Sequence, residues 1–290
     1  MSIIERVGEL LGSVPQKDRK PSAPAGADTL EPNWIERAVK ARPARITSTT
    51  QTLRIDLDRL RRQSMITPDG ERTPVAESFR RIKRQILTNA ANPRAGVPAN
   101  LVLVTSALAK EGKTFCAINL ALSIALEMDH TVLLVDADVA KPSVPQALGL
   151  EAEKGLMDIL LDGRIDLAEV LWKTDIDKLT LLPAGAAHQH ATELLASDAM
   201  RVLLREMASR YRDRIIIFDS PPLLAASEAG VLASQMGQIV MVVEAGRTTE
   251  AALKDALGRV ESSKVAGLLL NKGESPGLGY YYGDYGYGAK

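Results

Sequence analysis

Six short apolar runs, at residues 101–105, 131–135, 179–182, 214–218, 239–243 and 265–270, punctuate the second two-thirds of this chain. Each run is nearly continuous. A strand with one wet face alternates apolar and polar residues, so a continuous run fits a strand buried on both faces. Between the runs lie helix-length segments near 113–127, 192–210, 227–235 and 248–262. The alternation predicts an α/β fold: a doubly wound, mostly parallel sheet with helices on both sides. Ligands of such sheets sit at the carboxyl ends of the strands, and the polar motifs of this chain fall at those ends.

The first run leads through Ser106-Ala-Leu-Ala-Lys-Glu-Gly-Lys-Thr114 into an apolar helical segment. Strand, glycine-bearing loop and helix form the setting a phosphate loop needs. Backbone N–H groups over Lys110, Glu111, Gly112, Lys113, Thr114 and Phe115 are the candidate cradle for the phosphates of ATP. Lys113 is placed to neutralise phosphate charge, and the Thr114 hydroxyl to ligate Mg²⁺. Ala107 stands where the general motif carries its first glycine.

The second run ends at Asp136-Ala-Asp138. Two carboxylates so close at a strand end can both reach a metal bound to phosphate oxygens. Asp136 is the candidate acceptor of a proton from an attacking hydroxyl, and Asp138 chiefly a metal ligand. The fourth run closes on Asp219-Ser-Pro-Pro222, the pattern of an aspartate that holds Mg²⁺ beside a phosphate loop. Asn271, at the end of the last run, either recognises the nucleotide base or forms a turn. Thr192-Glu193 reads as a helix cap with a first-turn acid. His188 and His190 read as loop residues, and Cys116, the lone cysteine, as a small core residue.

Outside the alternating region the chain changes character. Residues 1–72 read as an N-terminal extension and linker: a short helix at 3–11, a proline-rich stretch at 12–32, then a charged, patchily helical stretch with Trp34 and Leu57 as anchors. Residues 73–272 form the predicted catalytic domain, beginning with a helix over 74–90 capped by Thr73. Val75, Phe79, Ile82 and Ile86 make its apolar stripe, with Arg80, Arg81, Lys83 and Arg84 expected off it. Residues 273–290 form a glycine-rich tail carrying five of the six tyrosines: Tyr280, Tyr281, Tyr282, Tyr285 and Tyr287. Glycine makes such a segment costly to order, so a flexible tail of phenolic hydroxyls is expected. Beside a nucleotide site, those hydroxyls suggest an enzyme that phosphorylates its own tail.

Charge is balanced, with 36 Lys+Arg against 36 Asp+Glu, so the basic excess of a nucleic-acid-binding domain is missing. A single cysteine excludes an internal disulfide. The first residues mix charge with apolar side chains, unlike a signal peptide, and no apolar run reaches the roughly 20 residues that cross a bilayer. The expected location is the cytoplasm, with recruitment to the inner face of the membrane through a partner.

Residues 73–290 resemble the bacterial tyrosine kinases of exopolysaccharide synthesis, and among them the stand-alone autokinases associated with exosortase systems. The resemblance rests on Gly112-Lys113-Thr114, Asp136-Ala-Asp138, Asp219-Ser-Pro-Pro222, Leu182-Pro-Ala-Gly185, Thr192-Glu-Leu-Leu195 and the tyrosine cluster. It implies a MinD/ParA-like phosphate-loop fold, ATP and Mg²⁺, and phosphorylation in trans of the five tail tyrosines. It also implies a ring-like homo-oligomer joined through a Glu-x-x-Arg-x-x-Arg helix, here Glu77, Arg80 and Lys83. The implied partners are a separate, membrane-embedded polysaccharide co-polymerase as activator, and a tyrosine phosphatase. Departures from the family are Ala109-Lys110 for Pro-Gly in the loop, Ala140 for an arginine (with Lys141 beside it), and Lys83 for the last arginine of the helix motif. The competing functions are a MinD/ParA-like ATPase switch, against which Leu108 stands in place of that group's signature lysine, and a nucleotide-binding scaffold.

Overall fold

The computed structural model describes residues 52–69, 73–93, 98–152, 154–210 and 213–273. All six apolar runs are strands of one seven-stranded sheet. They are β1 (Leu101–Ser106), β2 (Thr131–Asp136), β4 (Leu179–Leu182), β5 (Arg214–Asp219), β6 (Gln238–Glu244) and β7 (Val265–Asn271); the seventh strand is the two-residue β3 (Trp172–Lys173). The order across the sheet is β3-β4-β2-β5-β1-β6-β7, and every pairing is parallel except β3 with β4.

Both faces are covered, which explains the continuous apolar runs. Successive residues of a strand point to opposite faces. Leu101, Leu103, Leu133, Val135, Ile216 and Phe218 thus enter one core, under α7 (Ala191–Ala196), α8 (Asp198–Arg210), α9 (Ser227–Gln235) and α10 (Glu250–Leu257). Val102, Val104, Val132, Leu134, Ile215 and Ile217 enter the other, under α2 (Pro74–Ala91) and α3 (Lys113–Ala125). α3 is apolar nearly all round because it lies between the sheet and α2.

The structure departs from the sequence reading at four places, each for a physical reason. Residues 53–69, placed there in the extension and linker, pack on the second core. Leu53 bridges to Thr174 beside β3, α1 (Leu57–Arg62) buries Leu60, and the Ile66 N–H donates to Asn119 Oδ1 at 2.8 Å. Arg54, Arg61 and Arg62 are exposed and mask the apolar side of this stretch in the sequence, whereas Arg59 is half-buried and donates to the Gln146 and Ala147 carbonyls. The 192–210 segment is two helices, broken at Ser197, whose backbone is extended. His190 rather than Thr192 is the first cap position, and the Thr192 hydroxyl instead donates to Glu228 Oε1 at 2.9 Å. Between β2 and β4 lie three short helices, α4 (Val144–Leu148), α5 (Leu156–Leu161) and α6 (Leu167–Val170), each too short to leave a periodic signal. Trp34, the 3–11 helix and the 12–32 linker lie outside the described residues.

α2 begins as expected, with Thr73 Oγ1 accepting from the Ala76 N–H at 3.1 Å. Its buried face holds Phe79, Ile86 and also Lys83, which is 8% exposed. The Lys83 ammonium donates to the Ser123 carbonyl at 3.0 Å and pairs with Glu127 Oε1 at 2.5 Å. Lys83 therefore joins the apolar stripe instead of lying off it: its long stem packs inward and the charge finds partners at the end of α3.

Candidate nucleotide and metal site

β1, β2 and β5 end side by side, because Val104 is in register with Asp219, and Asp219 with Asp136. The loop after β1 curls over these ends and enters α3 through Gly112, at φ 92°. Only glycine fits here without strain. A Cβ at this position would also lie 2.1 Å from the Asn271 amide nitrogen. The loop thus brings the first N–H groups of α3, Lys113 and Thr114 to the edge shared with Asp136 and Asp219.

Thr114 Oγ1 donates to Asp219 Oδ2 at 2.6 Å and lies 2.9 Å from Ser143 Oγ. Asp136 Oδ2 accepts from the Ser143 and Val144 N–H groups at 2.8 and 2.9 Å. The second oxygen of each buried aspartate, Asp136 Oδ1 and Asp219 Oδ1, is buried with no hydrogen-bond partner among the described residues. Burial pushes the Asp219 carboxyl up to about 8, despite its bond from Thr114, and the Asp136 carboxyl up to about 6. Burial also raises Asp138, against the opposing charge of Lys113. Desolvation is the first cause of all three shifts, so a cation entering this pocket would favour the charged carboxylates.

The donor set fits magnesium in one form. No group of three His, Cys, Asp or Glu among the described residues could hold a metal alone. Mg²⁺, however, typically takes one or two carboxylates and completes its octahedron with phosphate oxygens and water. Asp136, Asp219 and the Thr114 hydroxyl could supply that fraction of a shell, and Asp138 is near enough to act electrostatically on Asp219.

A family model described as an AAA domain matches residues 109–262, more than half of the chain. The tyrosine-protein kinase YwqD of Bacillus subtilis is 34% identical over 206 residues, covering 70% of this chain and 84% of YwqD. The chain belongs to the bacterial tyrosine-kinase family. The putative tyrosine-protein kinase CapB of Staphylococcus aureus is 26% identical, covering 77% of this chain and 99% of CapB. The succinoglycan biosynthesis transport protein ExoP of Rhizobium meliloti is 34% identical, but the chain spans only 28% of it. Among solved structures, the kinase domain of VpsO aligns with TM-score 0.55 and 29% identity, over 67% of this chain and 97% of that one. The chimerical protein CapA2B2 aligns with TM-score 0.63 and 25% identity, over 76% and 93%.

Asn271 does reach the loop, but its amide nitrogen donates to the Glu111 carbonyl at 2.8 Å, so it is engaged by the protein. Glu111 is buried, and its carboxylate accepts from the Leu108 N–H at 2.7 Å and from the Thr248 hydroxyl. Phe115 faces the other way, into an open cleft of about 480 Å³ shared with Arg59, Met65, Thr114 and Ser143. Glu77 and Arg80 pair with each other at 2.7 Å on the surface of α2, whereas Lys83 is turned into the chain. The expected three-residue contact patch is therefore reduced to two. Cys116 is buried and its thiol is pushed up to about 12, as a core residue's would be. The five tail tyrosines lie outside the described residues. Ser143 and Thr248 were missed, since neither belongs to a motif; only the fold brings them to the loop.

Proposed function

We propose that this chain is an ATP- and Mg²⁺-dependent protein-tyrosine kinase whose acceptors are Tyr280, Tyr281, Tyr282, Tyr285 and Tyr287 of a second copy. The observation that carries this reading is the pair of unpartnered buried oxygens, Asp136 Oδ1 and Asp219 Oδ1, facing a phosphate loop in a chain of tyrosine-kinase ancestry.

Lys113 and the N–H groups at the start of α3 bind and orient the transferring phosphate. Thr114, Asp136, Asp138 and Asp219 would hold a magnesium ion, which would supply positive charge beside the phosphates. A phenol, with a pKa near 10, is a poor nucleophile at neutral pH, so a carboxylate must take its proton. Asp136, a buried carboxylate at the end of β2 beside the phosphate loop, is the candidate for this. Asp138 is the more open of the two carboxylates and is assigned chiefly to the metal. Asp138→Asn thus tests metal binding, and Asp136→Asn tests proton removal.

The wider reading keeps the ring-like homo-oligomer, the co-polymerase activator and the opposing phosphatase. ExoP and CapA2B2 support the co-polymerase: the kinase-like part is a minor fraction of one transport protein, and the other carries a second component in its name. No described helix is long and apolar enough to cross a membrane, so membrane recruitment is assigned to that partner. The catalytic unit extends N-terminally to include 53–69, with 273–290 as the acceptor segment. Intact-mass analysis after incubation with ATP and Mg²⁺ tests the proposal. It predicts successive 80-Da additions (about the mass of one HPO₃) on residues 280–287. Nucleotide turnover without tyrosine label would favour the ATPase switch.

A further inference from the structure

Lys110 and Lys272 are two of only four non-glycine residues with positive φ among the described residues, at 69° and 57°. They are also in contact: the Lys272 ammonium donates to the Lys110 carbonyl at 2.7 Å. A left-handed backbone costs an L-residue roughly 1–2 kcal/mol and persists only where neighbours enforce it. Lys110 lies in the middle of the phosphate loop, so whatever holds its backbone also sets the direction of the next N–H groups.

The holding groups form a closed circuit. Lys272 Nζ also pairs with Glu244 Oε1 at 3.2 Å. The Glu244 N–H donates to Thr248 Oγ1 at 3.0 Å, and the Thr248 hydroxyl donates to Glu111. Glu111 accepts in turn from the Leu108 N–H, while Asn271 holds the Glu111 carbonyl. Both ends of the loop segment 108–111 are thereby tied to the ends of β6 and β7, the side of the sheet away from the acidic pair.

We propose that Lys272 is a positioning residue for the nucleotide site: it holds Lys110 in the left-handed conformation, so that the phosphate loop is formed before ATP arrives. This rests on the nucleotide-site reading above. The mechanism is preorganisation: without the brace, part of the binding free energy is spent on ordering the loop. It also accounts for a lysine at a position where glycine would need no brace, since glycine enters positive φ without steric cost.

The test is a double-mutant cycle on the full chain, read as the dissociation constant of Mg²⁺–mant-ATP. Lys272→Met should weaken binding about tenfold, the scale of one lost hydrogen bond to a charged group. Lys272→Arg, which can still donate to a carbonyl, should restore most of it. In a Lys110→Gly background, Lys272→Met should cost less than twofold, because a glycine there needs no enforcement. Equal losses in both backgrounds, or an unchanged dissociation constant for Lys272→Met, would overturn the proposal. Melting curves run alongside separate the cases: a lost transition in Lys272→Met that Lys272→Arg does not recover also counts against it, as that is a general structural role. Because binding is the readout, a protein that binds ATP as predicted but labels no tyrosine would sink the kinase reading and leave this one standing.

Discussion

The two sides of the phosphate loop are built on opposite principles. On the β2–β5 side, two buried carboxylates are engaged through one oxygen each: Asp136 and Asp219 both keep the other without a partner among the described residues. On the β6–β7 side, Glu111, Thr248, Glu244, Lys272 and Asn271 bond to one another and to the loop. Buried polar groups are nearly always satisfied, so the unsatisfied side marks where something else must enter, and the satisfied side marks scaffold. Removing a charge from the first should relieve strain and destroy function; removing a bond from the second should do neither cleanly.

The largest effect is expected from Lys113→Met. Loss of a charge aimed at developing negative charge costs on the order of a hundredfold or more in rate, and the melting temperature should stay within a degree or two. Retained tyrosine labelling would break the comparison at its centre. Next is Asp219→Asn, which should abolish Mg²⁺-dependent labelling yet raise the melting temperature of the metal-free protein, most of all above about pH 8, where the buried carboxyl would be ionised. A metal-free variant less stable than the parent would show that Asp219 is a structural group.

The pH dependence sharpens the same point. The Asp219 carboxyl is raised from 3.8 to about 8 in the folded protein. Between those values the folded state binds the proton that the unfolded state has lost. This group's contribution is therefore full below about pH 4 and falls as the pH rises toward 8. Asp136, raised to about 6, adds to the fall between roughly 4 and 6. Metal-free protein should accordingly melt several degrees lower at pH 8.5 than at pH 6, and saturating Mg²⁺–ATP should shrink the gap. A melting temperature that rises over this interval would contradict the burial argument. On the satisfied side, Thr248→Val should cost roughly 1–2 kcal/mol of stability by stranding Glu111, without altering how labelling depends on Mg²⁺ concentration. The smallest effect belongs to Arg80→Glu: its partner Glu77 is exposed, and such pairs contribute about 0–1 kcal/mol. A change in oligomeric mass measured by light scattering, with stability unmoved, would assign α2 to a contact between copies.

The unsatisfied side was legible in the sequence because its parts are local. Asp136 and Asp219 each end an apolar run, and Lys113 and Thr114 follow a glycine between strand and helix. The satisfied side was not legible. Asn271 read as a base-recognition or turn residue because its partner, the Glu111 carbonyl, lies 160 positions away. Lys83 read as a surface cation because its partners at Ser123 and Glu127 are brought to it only by the packing of α2 on α3. The 53–69 segment failed for the same reason: its few apolar residues find their core on β3 and α3, not within the segment.

Gly112 and Asn271 have a consequence for heredity. A methyl group on Gly112 would press on the Asn271 amide, so the two positions constrain each other. A side chain at Gly112 is strained by its positive φ and must also displace that amide from the Glu111 carbonyl. The same holds for anyone grafting a phosphate loop from a relative into this chain. The transplant must carry the last residue of the last strand with it, or the new loop will meet a side chain shaped for the old one.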